Sequence, residues 1–217
     1  MALNNQHTHL SFRVNLGFLL VAFITLFLSP ISVLAQGNIT TLPTLAEFSK
    51  KVQNGQADVL RGVYVANVLA LPIVQQPLSD SGYVSSNNGE ATQFQMASQY
   101  RNIGLLAHNH LSGKFFSALA IGQEVSLVYG DGHIEYFVVK EILKYQALKP
   151  TSPYSSFRNL DKDEVLSAKQ MFKRVYLGDR HVTFQTCLAA DGNQSWGRLF
   201  VIAVPREEFS PNSNPDR

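Results

Sequence analysis

The stretch from His181 to Pro205 reads HVTFQTCLAADGNQSWGRLFVIAVP. Two runs rich in β-branched and aromatic residues, His181–Leu188 and Gly197–Pro205, flank Asp191-Gly192-Asn193. Asp, Gly and Asn each tolerate the positive φ that a tight turn requires, so the stretch predicts strand, turn, strand. With the turn centred between Gly192 and Asn193, the numbers of opposed residues sum to 385, which sets Cys187 against Arg198. The two would share a face of the sheet with Cβ atoms about 5 Å apart. A slip of one residue destroys that opposition, so the inference hangs on the register.

Cys187 is the only cysteine among 217 residues. It cannot cross-link its own chain. It could be a buried small hydrophobe, or an exposed thiol that pairs between molecules. A guanidinium beside it points to a third role. The cation favours the thiolate, the form that attacks, and offers permanently charged donors to an oxyanion that grows as the sulfur adds to a carbonyl.

A nucleophile that cleaves an amide also needs an acid for the leaving amine. Beyond the N-terminal segment the candidates are His108, His110, His133 and His181. His133 adjoins the turn signal Gly130-Asp131-Gly132, which puts it in solvent. His181 shares strand parity with Cys187 but lies near 20 Å away at about 3.3 Å per residue, too far for direct partnership. His108 and His110 stand where the apolar strand Asn102–Ala107 gives way to a loop, the usual place to present reactive groups. His108-Asn109-His110 could also serve as a metal pair, but no neighbouring Cys, Asp or Glu completes a site. No metal and no cofactor is expected.

The rest of the chain supplies a setting for these residues. Residues 1–13 are polar, Val14–Leu28 carries no charge, and Val33-Leu34-Ala35 precedes Gln36 in the manner of a cleavage site. That order of regions predicts a signal peptide, or a retained membrane anchor if the segment is not removed. Either outcome places the remainder outside the cytoplasm. Residues 1–35 hold one base, Arg13, and no acid, so the remainder carries 17 Lys and Arg against 16 Asp and Glu. Such a balance argues against a nucleic-acid surface. Residues 36–56 read as a linker and a short helix, opened by the capping box Thr44-x-x-Glu47. Short strands follow in Val59–Val74, Asn102–His108, and the hairpin Gln123–Tyr129 with His133–Ile142. A helix is expected over 161–176, capped by Asp161 or Asp163 and ended by Gly178, with Val165, Ala168, Met171, Phe172 and Val175 on its packing face. The segment 57–206 forms one mainly β domain, a barrel or sandwich, and 207–217 a polar tail.

At this point the motifs resemble those of the sortase family of cysteine transpeptidases. Val182-Thr183-Phe184-Gln185-Thr186-Cys187 is similar to that family's apolar-Thr-Leu-x-Thr-Cys strand, and Gly197-Arg198-Leu199-Phe200-Val201 to the arginine strand after it. Gly104-Leu105-Leu106-Ala107-His108 resembles the strand that ends in its Gly-His. The resemblance spans roughly 57–205 with the motifs in the family's order. It implies an eight-stranded β-barrel with Cys187 as nucleophile, His108 as general acid/base and Arg198 as transition-state stabiliser. It implies cleavage of a C-terminal sorting signal of the Leu-Pro-x-Thr-Gly kind on a surface protein. A thioacyl-enzyme then passes to an amine such as a cell-wall peptide or a pilin lysine. Ala107 stands where the family usually has Gly, and Phe184 where it has Leu; His110 is the fallback acid. Two other readings compete: a secreted cysteine hydrolase, and a non-catalytic extracellular β-barrel binding module with a buried Cys187.

Overall fold

The computed structural model describes residues 41–210. The expected signal or anchor segment at 1–35 and most of the expected tail lie outside the described residues. Among those described, no helix is long and apolar enough to cross a membrane.

Ten strands form one sheet. They are β1 Leu60–Val65, β2 Leu69–Gln75, β3 Ala91–Phe94, β4 Ile103–Leu106, β5 Glu124–Tyr129, β6 Ile134–Ala147, β7 Phe157–Asn159, β8 Val165–Leu166, β9 Val182–Ala190 and β10 Asn193–Pro205. The order is β10-β9-β4-β3-β2-β1-β5-β6-β7-β8, and β10 pairs again with β6. That second pairing closes eight strands into a barrel and leaves β7 and β8 as a flap on β6. The mainly β domain expected from the sequence is therefore a barrel rather than a sandwich, with the eight strands that the family resemblance implied. Closure removes the free edges that an open sheet would expose.

Most neighbouring strands are antiparallel, as short turns dictate. Asn67, at φ 61°, makes the β1–β2 turn. Two neighbours run parallel, β2 with β3 and β4 with β9. The second of these brings the segment after β4 alongside the strand that carries Cys187.

Alternation sorts the side chains between the barrel interior and its outer face. Ile103, Leu105 and Ala107 point inward with Val182, Phe184, Leu199 and Val201. Phe116 and Phe184 meet edge to face at 5.1 Å, both at 0% exposure. Phe184→Ala removes the larger part of that contact and should cost about 3–5 kcal/mol, read as a lowered denaturation midpoint at unchanged slope.

Helices cover two patches of the outside. Helix α1, Leu45–Val52, is opened by the expected box between Thr44 and Glu47 and buries Phe48 and Val52 near Val128. Two single-turn helices follow, α2 Gln95–Ser98 and α3 Gly113–Phe116. Helix α4, Ala168–Tyr176, lays Met171, Val175 and Tyr176 on Tyr145, Phe157 and Phe200.

The start of α4 corrects the expectation of a helix from 161. Residues 157–166 form the β7–β8 hairpin instead. Asn159 Oδ1 accepts from the amides of Asp161 and Lys162, and Asn159 N donates to Glu164 O. That turn satisfies the backbone groups that an extra helical turn would have used. Ser167 and Gln170 then form a full capping box, which outranks the aspartates as the cap. Val165 leaves the packing stripe and is half exposed. At the far end Gly178, at φ 113°, lies just past the helix, as expected.

Candidate active site

Cys187 and Arg198 are opposed residues of β9 and β10. The register sum of 385 holds from Gly197–Leu188 to Ala203–Val182, whereas Asn193 pairs with Ala190. The turn itself is therefore Asp191-Gly192, both at positive φ (52° and 74°). A bulge over Gln194–Trp196 shifts the register before Cys187 is reached. Bulges of this kind re-aim side chains beside functional sites.

The bulge also holds the arginine. Arg198 Nη1 donates to Ser195 O at 3.0 Å and to Gly197 O at 2.8 Å. Among the described residues, its Nε and Nη2 make no hydrogen bond. Gly197 lets β6 come close, since a Cβ there would meet Tyr145 O at 2.5 Å.

His108 reaches the same line from the other side. The parallel β4–β9 ladder pairs Leu106 with Gln185. It continues through Ala107 N donating to Gln185 O at 3.3 Å and Thr186 Oγ1 donating to Ala107 O at 2.8 Å. Two steps beyond the Leu106–Gln185 pair, His108 stands level with Cys187, on strands about 5 Å apart. Inward Leu105 and Ala107 leave Leu106 and His108 on the outward parity, shared with Gln185 and Cys187. Cys187 on β9 and Arg198 on β10 thus lie in one row with His108, which stands two residues past the end of β4. Both Cys187 and His108 are partly exposed.

Local bonds fix the histidine loop. Leu111 N and Gly113 N donate to His108 O at 3.0 and 2.9 Å. Asn109 Nδ2 donates to Gln194 O at 2.9 Å, latching this loop to the bulge that carries Arg198. The ring of His110 stacks on His108 with centroids 5.5 Å apart. Gly113 is forced by proximity: a Cβ would fall 2.2 Å from Thr186 Oγ1 and 2.7 Å from both Ala107 O and His108 O. Gly113→Ala should displace the loop and lower turnover by tenfold or more, with ~1 kcal/mol or more of stability lost, checked by thermal melting; Gly55→Ala, which meets no neighbour and is strained only by its φ of 84°, should cost stability without lowering turnover.

The other histidines stand apart. His181 is 7% exposed, with Nδ1 2.7 Å from Asp179 O and Nε2 2.9 Å from Val175 O, under the end of α4. His133 is half exposed and stacks on Tyr129 at 4.4 Å.

An apolar groove runs between α4 and the barrel towards Arg198. Phe94, Met171, Phe172 and Phe200 line it, and Gln185 and Arg198 supply polar ends. Tyr176, also on the groove, donates its hydroxyl to Gln185 Oε1 at 2.6 Å. Asn109, Gly113, Gln185 and Tyr176 were not singled out from the sequence. Strand parity alone could have found Gln185, two residues before Cys187; the others depend on tertiary approach.

No protein-family model matches the chain, and no curated protein matches it by sequence. Among solved structures it is similar to sortase A of Listeria monocytogenes, at 13% identity over 68% of this chain and 86% of that one, with a TM-score of 0.45. A sortase D5 transpeptidase of Clostridium perfringens gives 17%, 74%, 87% and 0.40 for the same measures. Sortase C-1 of Actinomyces oris gives 12%, 76%, 82% and 0.46.

Proposed function

We propose that this chain is a cysteine transpeptidase of the sortase type, acting outside the cytoplasm on a peptide sorting signal. The observation that carries the reading is the line formed by Cys187 on β9, Arg198 opposite it on β10 and His108 just past the end of β4, with Arg198 also lining an apolar groove. Cys187 gives its proton to His108, and Sγ attacks the carbonyl carbon of a substrate amide. Arg198 donates to the oxyanion that forms. His108 returns the proton to the leaving nitrogen, the C–N bond breaks, and a thioester on Sγ remains. An acceptor amine attacks that thioester, His108 takes its proton, and the C–S bond breaks as a new amide forms. The substrate is a surface protein with a Leu-Pro-x-Thr-Gly-like signal, and the acceptor a cell-wall peptide or pilin lysine.

The carbonyls that bind Arg198 Nη1 make its planar fork hard to replace. An ammonium would spend its donors on Ser195 O and Gly197 O or release them. Arg198→Lys should therefore lose roughly 10²-fold in kcat. Incubation with fluorescent Leu-Pro-x-Thr-Gly peptides, with and without an amine, tests the reaction class. A transpeptidase yields an amine-linked product at the expense of the free acid. Cleavage indifferent to every amine would instead mark a cysteine hydrolase.

A further inference from the structure

Within the apolar groove, Gln185 is held in one orientation by a neighbour the reaction does not use. Tyr176 is 3% exposed, and its phenol has one proton to donate. Burial raises that phenol's pKa above its ordinary value, so it remains a donor throughout the physiological range. Its hydroxyl lies 2.6 Å from Gln185 Oε1. A buried hydroxyl must donate somewhere, and this carbonyl is its acceptor. The Gln185 amide is therefore fixed with Oε1 towards Tyr176 and Nε2 turned away. Nε2 has no hydrogen-bond partner among the described residues, nor is it sealed from solvent.

Its place gives that donor a use. Gln185 opposes Phe200 on β10 and pairs with Leu106 on β4, on the outer face of the barrel. It precedes Cys187 by two residues, about 7 Å along the strand, or roughly two residues of an extended peptide away from the attacked bond. The surrounding groove is made of Phe94, Met171, Phe172, Val175 and Phe200. A fixed donor in apolar walls is how small sites set orientation and specificity.

We infer that Gln185 is a specificity-determining residue: its Nε2 donates to a main-chain carbonyl of the substrate peptide, whose adjacent apolar side chain fills the groove under α4. The inference rests on the transpeptidase reading for the identity of the ligand as a peptide. Tyr176 is a positioning residue that keeps the donor outward. A substrate that offers no carbonyl there, or one with a charged side chain in the groove, is rejected by an unpaired amide or by desolvation.

The test uses the fluorescent Leu-Pro-x-Thr-Gly library on the full chain in two formats: binding in the Cys187→Ala background, and turnover with Cys187 present. Gln185→Met keeps the length and removes the donor. Gln185→Glu still accepts from Tyr176 but presents an acceptor outward. Tyr176→Phe frees the amide to turn. Roughly tenfold higher Kd and KM are expected for Gln185→Met, a larger rise for Gln185→Glu and a smaller one for Tyr176→Phe, with the loss in KM rather than kcat. Normal binding and turnover in both Gln185 variants would overturn the inference and leave the transpeptidase reading standing. Binding that depends on Gln185 without any turnover by the wild type would do the reverse. A library in which nothing binds overturns both. Thermal melting of each variant separates a lost contact from a lost fold.

Discussion

Cys187→Ala is expected to abolish peptide cleavage, with a loss of roughly 10⁴-fold or more in kcat/KM, while binding of the same peptide persists. The size follows from the chemistry. Without Sγ no thioester forms, and the oxyanion donors of Arg198 and the groove retain only what they contribute to binding. The side chain lies on the outer face, partly exposed, so its removal leaves no interior cavity. The variant should melt within a few degrees of the wild type, which makes it a clean probe of mechanism. Cleavage that survives in Cys187→Ala would remove the thiol from the reaction. A binding module with a buried cysteine predicts something different again: a small thiol reagent would leave the native chain unmodified.

The second large effect falls on His108. Proton transfer by a positioned side chain is worth roughly 10²–10⁴-fold, so His108→Ala should lose that much in kcat. His110 is the control that matters, because its ring stacks on His108 at 5.5 Å and it is the alternative acid. The β4–β9 ladder places His108, not His110, level with Cys187. His110 is also exposed, whereas His108 is half-buried. His110→Ala should therefore cost less than about tenfold, through a looser His108 ring. If His110→Ala proves the more damaging of the two, the acid has been assigned to the wrong ring.

How much of this was legible in the chain differs from residue to residue. The pairing of Cys187 with Arg198 was expected from strand period and turn chemistry, but the observed turn alone would have set Cys187 against Trp196. The turn lies one residue earlier than its expected centre, at Asp191-Gly192, and the bulge over Gln194–Trp196 restores the sum of 385. Nothing in Gln194-Ser195-Trp196 announces a bulge, which ends where β10 begins to pair with β6 at Gly197. The helix before β9 was half visible. The apolar stripe Met171–Val175 located it, but the choice between Asp161, Asp163 and Ser167 as cap turned on the β7–β8 hairpin, a non-local pairing. Barrel closure between β6 and β10 and the parallel β4–β9 pairing join residues far apart in sequence, and the bond from Tyr176 to Gln185 joins a helix to a strand. Periodicity is silent on such contacts.

One measurement bears most directly on the claim that Cys187 carries a peptide as a thioester. The wild-type chain, incubated briefly with a cleavable sorting-signal peptide and quenched in acid, is weighed intact. The account predicts a mass increase equal to the peptide's acyl fragment, located on Cys187 by fragmentation, absent from Cys187→Ala and discharged by added amine. Rapid peptide cleavage by the wild type with no such adduct at any quench time, or an adduct that persists in Cys187→Ala, would contradict it.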